Sequence, residues 1–437
     1  MKHFRIIIAL VAISTALTVN SQDDNFQFST FNFQFSEVLD SIEKNNTTLI
    51  ALRTEAEARK LENRTGITLA DPEVGYKHMW EGADETGKLT EFTVSQRIDL
   101  ATVTGQRKRV AHQQNRLIDE EYRMARMDIL LDAQLTLVDL AYYNALAAEL
   151  DRRLGHARRV VEAERVRFDN GDADALSYNN VLLSLSALEA EVSRVDMERD
   201  VLTARLTALN GGKEIEELKI ENGKLKIDRT GIDSALVTPR NCQLSIVKRS
   251  SLAEGKSNCQ LDFDSWYAEA EAHLPQLAGA RQLCEARSSE LALAKSMYLP
   301  SLSATYINER HTIGSRSQGV AIGMSIPLWA NKNSVRTART ALEAAEANQA
   351  DVALRLRSAY EQEFTRVKGL QQTAMRYRRA LDEANNSALL QRAMDEGLIS
   401  VLEYLQGIEL YYDYLDRSLG AERDYLRARA ELEAWRL

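Results

Sequence analysis

Asp169-Asn170-Gly171-Asp172-Ala173-Asp174-Ala175-Leu176-Ser177-Tyr178 returns later in the chain as Asp395-Glu396-Gly397-Leu398-Ile399-Ser400-Val401-Leu402-Glu403-Tyr404. Asp, Gly, Leu and Tyr keep their places at one constant offset. Upstream, Asp71-Pro72-Glu73-Val74-Gly75-Tyr76 stands at nearly the same offset from Leu299-Pro300-Ser301-Leu302-Ser303-Ala304. Val94-Ser95-Gln96-Arg97-Ile98 likewise pairs with Met324-Ser325-Ile326-Pro327-Leu328. Three co-linear pairs in one order read as an internal structural repeat. The first repeat falls in 22–210 and the second in 265–437. They are joined by a linker at 211–264 that holds Gly211, Gly212 and Pro239.

Outward from these motifs, each repeat reads as helix, two strands, long helix, turn, long helix. The chain has 437 residues but only 5 Pro and 20 Gly, with 27% charged residues. That composition belongs to long helices rather than to turn-rich globular domains. From about Ala101 to Asp169 only Gly105 and Gly155 interrupt a helical pattern. At 1.5 Å per residue this run would reach roughly 100 Å. Val110, Leu117, Met124, Leu131, Val138 and Ala145 recur every seventh position, as do Ala338, Ala345, Val352 and Ala359. Heptad spacing keeps a seam turned toward a partner helix.

Four segments alternate with period two: 73–81, 89–98, 302–309 and 319–326. Val74, Tyr76, His78 and Trp80 would share one face, as would Val320, Ile322, Met324 and Ile326. One apolar and one polar face at this length is the pattern of a transmembrane barrel strand. The short polar turns at 82–88 and 311–316 make each pair a hairpin. Four strands cannot close a membrane barrel, and open edges are not tolerated in lipid. The expectation is therefore a barrel shared between chains, twelve strands from three copies, continued by a tube of helices. Tyr76, Trp80 and Tyr306 are the candidates for an aromatic girdle on the membrane-facing side.

Lys2 and Arg5 precede an apolar run, Ile6 to Val19, that ends in small residues, so 1–21 reads as a signal peptide cleaved before Gln22. Export permits disulfides. Cys242 and Cys259 share one irregular segment and are a candidate bridge; three free thiols, Cys284 included, is the other reading. Net charge is −9 with both signs interspersed, and no basic patch suggests nucleic acid as a partner. The six histidines are dispersed and no zinc or phosphate-loop spacing occurs, so no metal site, cofactor or enzymatic centre is expected.

Taken together, these features resemble the TolC-like outer-membrane factor family over essentially the whole mature chain. The resemblance rests on the repeat, on Ser95-Gln96-Arg97-Ile98-Asp99-Leu100 and Ser325-Ile326-Pro327-Leu328-Trp329 after the hairpins, and on the two Gly-containing helix turns. It implies a mainly α protein with a small β part: a long-helix α-barrel plus a trimer-shared, twelve-stranded β-barrel. It implies a homotrimer in the outer membrane of a Gram-negative bacterium, most of it periplasmic. The chain would be the passive exit duct of a tripartite pump, with a periplasmic adaptor and an inner-membrane pump as partners, and metal cations or drugs as cargo.

Site assignments follow from the same resemblance. Gly171, Asp172, Leu176, Gly397, Ser400, Val401 and Leu402 would form the adaptor-docking tip. Glu403 falls on an acidic gate position, where a ring of carboxylates favours cations. The family's second acidic position falls on Gln406, and a basic gate position on Ile399, both departures. Ser177 occupies the place of Glu403 in the first repeat. Ser325 to Asn333 followed by Val335-Arg336-Thr337-Ala338 looks closest to the heavy-metal efflux branch, although the lipobox cysteine of lipid-anchored members is missing. Two other readings are a periplasmic coiled-coil scaffold without a pore and a duct for protein secretion.

Overall fold

The computed structural model describes residues 31–68, 70–79, 89–98, 101–215, 220–221, 224–225, 263–311, 315–329, 331–384 and 386–437. The expected signal peptide, Trp80, Cys242, Cys259 and most of the linker lie outside them. Cys284 is a free thiol.

In chain order the elements are α1 (Phe31–Asn45), α2 (Thr47–Arg64), β1 (Glu73–Met79), β2 (Leu89–Ile98), α3 (Ala101–Asp169) and α4 (Ala175–Leu209). A two-residue ribbon, β3 (Ile220–Glu221) and β4 (Lys224–Leu225), follows. Then come α5 (Phe263–Glu271), α6 (Pro275–Ser296), β5 (Ser301–His311), β6 (Arg316–Ser325), α7 (Ser334–Glu383), α8 (Ser387–Asp395), α9 (Val401–Leu432) and a closing 3-10 turn, Ala434–Arg436. The protein is thus mainly α with one small sheet. α3 runs unbroken for 69 residues. β5 starts one residue earlier than the alternation suggests and continues to His311; β6 starts three residues earlier and stops at Ser325. The extra residues pair across the hairpin, Arg310 with Arg316, where the alternation carries no apolar signal.

The seven-residue seam holds only in part. Val110, Val138 and Ala345 are buried, the others are half-buried, and Ala359 is exposed. No single partner follows α3 along its length. It packs on α2, α4, α6 and α9 in turn, so its apolar stripe must rotate from neighbour to neighbour. The interior is accordingly a series of small cores rather than one. Val38, Ile42, Leu137 and Leu206 form one at the α1–α3–α4 junction. Trp266, Tyr267, Phe364 and Leu432 form another between α5, α7 and α9. Val160, Val181, Tyr404 and Ile408 form a third at the far ends of α3, α4 and α9.

The second repeat departs from the expected continuous helix. α7 ends at Glu383 and α8 begins at Ser387, with Ala384 out of helical geometry at φ −120 and ψ 42. No Pro or Gly marks the break. It falls before Asn385-Asn386, and Asn competes poorly for helix because its side chain bonds to nearby backbone.

The sheet has the order β1-β2-β5-β6, all antiparallel. Direct register places Val74, Val94, Tyr306 and Val320 in one row, and Ile98, Leu302 and Met324 in another. These side chains are exposed or half-buried; Val320 is 73% and Ile322 81% accessible. The opposite face carries Glu73, Lys77, Glu91, Ser95, Thr305 and Ser317, with Lys77 paired to Glu91 at 3.7 Å. It also carries Gly75 and Gly323. A Cβ on either would stand 2.5 or 2.6 Å from the Thr93 or Ser303 hydroxyl directly opposite. Small residues on one face let a sheet curl toward that face. A sheet that curls at these positions has its polar face concave and its apolar face convex.

A polar clasp fixes α1 to the end of α4. Asn45 Nδ2 and Ser41 Oγ both donate to Asn210 Oδ1 at 3.1 Å, and Asn46 Nδ2 donates to Leu209 O at 2.7 Å. Gly211, at φ +68, ends α4 with its Cα against Asn45: a Cβ there would meet Asn45 O at 2.3 Å. Gly211→Ala combines left-handed strain with this collision. It is expected to cost about 1–2 kcal/mol from the backbone alone, read as a lowered midpoint in thermal unfolding. Gly212→Ala, free of the collision, is expected to cost less.

Candidate functional site

Two regions gather the residues singled out by sequence. One is the far end of the helices; the other is the sheet.

At the helical end the two repeats make the same turn. Gly171 sits at φ +81 and Gly397 at φ +68, in backbone space that favours glycine. Gly171 N–H donates to Phe168 O and Asp172 N–H to Arg167 O; Gly397 N–H donates to Met394 O and Leu398 N–H to Ala393 O. Both are Schellman closures, which satisfy the last carbonyls of the incoming helix. The outgoing helices are capped differently. Ser400 Oγ accepts from Glu403 N–H, and Ser400 N–H donates to Glu403 Oε2 at 2.8 Å, a reciprocal capping box. In the first repeat Asp174 Oδ1 accepts from Ser177 N–H at 2.6 Å. Asp174 is the N-cap there, an Asp immediately before an apolar helix start.

Glu403 is fully exposed, and its hydrogen bonds from Ser400 hold the carboxyl below the usual carboxylate range. Leu176, Leu398 and Leu402 project from the turns, 69%, 72% and 52% accessible. Val401 is half-buried against the Tyr404 core. Beside this end, the break between α7 and α8 opens a cavity of about 620 Å³ between Leu381, Asn386, Leu390, Ile399 and Tyr411. Gly407 faces it closely; a Cβ there would stand 2.8 Å from Leu390.

α9 is locked to α3 by polar contacts that the sequence did not reveal. The Arg153 guanidinium is 5% accessible and grips Asp416 with two bonds, 3.0 and 2.7 Å, while Nε reaches Glu149 at 3.2 Å. It also lies 4.2 Å from the Tyr412 ring centroid. Nearer the turn, Tyr404 Oη lies 3.2 Å from His156 Nδ1. Burial, then the charge of Arg159, lowers the His156 pKa from 6.5, with Asp395 and Gln391 opposing. Partners so far apart in sequence leave no local signal.

On the sheet, Tyr76 and Tyr306 lie on the apolar convex face, 71% and 38% accessible. Trp329 and Leu328, just beyond β6, are 81% and 67% accessible and extend the apolar surface toward the helices. No described helix is long and apolar enough to cross a membrane. Among the described residues no group of three His, Cys, Asp or Glu could hold a metal.

Residues 266–435 match the family described as Outer membrane efflux protein. No curated protein matches the chain. Solved structures align with 92% of it. A membrane protein from Pseudomonas aeruginosa aligns over 89% of its own length, at TM-score 0.66 and 16% identity. CusC, described as forming a transmembrane channel, aligns over 91%, at TM-score 0.67 and 13% identity. The outer membrane protein VceC from Vibrio cholerae aligns over 96%, at TM-score 0.63 and 14% identity. CusC stands 0.01 above the Pseudomonas aeruginosa protein in TM-score and has the lowest identity of the three, so the likeness does not single out the metal branch.

Two outcomes test this geometry. A base whose pKa is lowered in the fold is bound as the neutral form. The contribution of His156 is therefore present above about pH 6.5 and declines as pH falls through the unfolded value toward the folded one. Thermal midpoints between pH 7.5 and 5.5 should fall more steeply in the wild type than in His156→Gln. Ser400→Ala removes the cap and should cost about 1 kcal/mol, with amide exchange accelerated at the start of α9.

Proposed function

We propose that this chain, a TolC-like outer-membrane factor by fold and an outer membrane efflux protein by the match of its second repeat, is one subunit of a trimeric exit duct in the outer membrane. The observation that carries the reading is the sheet. Its convex face is mostly apolar and exposed or half-buried, its concave face is mostly polar, and the outer edges of β1 and β6 have no second neighbour among the described residues. In lipid such edges must be paired. Three copies, joined β6 to β1, would close twelve strands with the apolar faces outward.

The hairpins point away from the helices, because α2, α3, α6 and α7 all join the opposite ends of the strands. The hairpin tips are then the extracellular end and the helices the periplasmic part. Exported by its signal peptide, 1–21, the chain would place residues 22–210 and 265–437 as two quasi-equivalent halves of the subunit, with 211–264 between them. α3 at 69 residues carries the duct roughly 100 Å into the periplasm.

At the far end, Gly171, Asp172, Leu176, Gly397, Ser400, Val401 and Leu402 form the surface offered to a periplasmic adaptor, which links the duct to an inner-membrane pump. The exposed leucines supply the apolar contact and the glycines the turn geometry. Glu403, ionised and held by Ser400, contributes one carboxylate per subunit to a ring that favours cations over anions. The duct itself performs no chemistry; its cargo, metal cations or drugs, is set by the pump. The open apolar sheet favours this over a soluble coiled-coil scaffold, which has no use for such a face.

Fractionation and light scattering of the detergent-extracted protein should give an outer-membrane trimer; a soluble periplasmic monomer or dimer overturns the reading. In planar bilayers Glu403→Gln should move the reversal potential toward weaker cation selectivity. An unchanged potential removes Glu403 from the gate while leaving the duct.

A further inference from the structure

The outer end of the convex sheet face carries a row unlike those beneath it. His78 pairs with Thr90, Thr90 with Arg310, and Arg310 with Arg316. Strand alternation sets all four on the same face as Tyr76, Phe92, Tyr306 and Val320. Thr90 holds His78, its Oγ1 3.1 Å from Nδ1. Arg310 and Arg316 stand directly opposite each other and exposed, and among the described residues neither makes an ion pair. Like charges facing each other across a ladder destabilise it. On the concave face, by contrast, Lys77 meets Glu91.

The position indicates what relieves this repulsion. Two residues inward on the same strands lie Asn308 and Gln318; two further in lie Tyr306 and Val320. At about 3.3 Å per residue the arginines stand roughly 13 Å along the strands from the apolar rows. At that distance the guanidiniums would stand in a headgroup layer whose acyl chains cover the rows below. Paired guanidiniums match phosphate oxygens with two bonds each.

The geometry points to Arg310 and Arg316 as a binding site for the phosphate groups of an anionic outer-leaflet lipid, one site per subunit. The inference rests on the outer-membrane reading above. The lipid, rather than a free anion, is the occupant because only the Asn308–Gln318 row separates the site from an apolar face that acyl chains would cover. The same contact would anchor the rim of the barrel at a fixed depth, with Trp329 at the opposite boundary.

The test uses the full-length oligomer in mild detergent. Its thermal midpoint is followed against bis-phosphorylated lipid A, dephosphorylated lipid A and inorganic phosphate. The phosphorylated lipid should act at a concentration about tenfold below that of its dephosphorylated form. Arg310→Gln with Arg316→Gln should abolish that preference, and the double lysine variant should keep part of it. An equal response to both lipids in the wild type overturns the site, whatever the variants do. So does inorganic phosphate matching the lipid, which marks a free-anion site. Dissociation of the glutamine variant into protomers before lipid is added also overturns it, by assigning the arginines to contacts between subunits. A wild type absent from the outer membrane defeats the duct reading itself; an outer-membrane trimer without phosphate preference defeats only the lipid site.

Discussion

In the outer-membrane duct proposed above, every backbone N–H and C=O that faces hydrocarbon must find a partner inside the protein, and this one constraint would organise the molecule. A chain with four strands cannot meet it alone. The exposed edges of β1 and β6 and the convex apolar face are incomplete as a monomer and consistent as a third of a closed wall. The curl that closure needs is written on the other face. There Gly75, Gly323, Ser303 and Thr93 leave little bulk to resist such a curl.

The helices pose a different packing problem. α3 has several neighbours along its length and no single partner, so it cannot build one deep core. It builds several, spaced along its length, and stiffens the stretches between them with polar contacts. Arg153 with Asp416, Arg427 with Asp139 and Arg126 with Glu43 are of this kind. Arg153 is the most enclosed of them. Its two bonds to Asp416 and its seat over Tyr412 fix the angle at which α9 lies on α3. The same surface carries the half-buried His156, set against Tyr404 toward the turns.

The turns show how one motif yields two behaviours. Both repeats close with glycine in the left-handed region and the same pair of backbone bonds. The first then caps with an acidic side chain and the second with a hydroxyl backed by Glu403. The second also follows a broken helix, so its approach to the turn is hinged at Ala384 and undercut by a cavity. Quasi-equivalent halves thus differ at their turns.

What the sequence determined by itself was whatever depends on periodicity and local backbone chemistry. The 69-residue helix needed only the absence of breakers, the strands only alternation, and the turns only Gly171 and Gly397 ahead of good caps. The tertiary structure decided the rest. The α7–α8 break was hidden because Asn385-Asn386 weakens a helix without forbidding it, and neighbouring packing settles the outcome. The heptad seam failed at Ala359 because burial depends on which helix lies alongside. Arg153 with Asp416, His156 with Tyr404 and Arg310 opposite Arg316 come from distant or register-dependent pairings. A one-residue change of register would have set the two arginines on opposite faces, and which residues stand directly opposite is fixed by the turn and the pairing rather than by either strand alone.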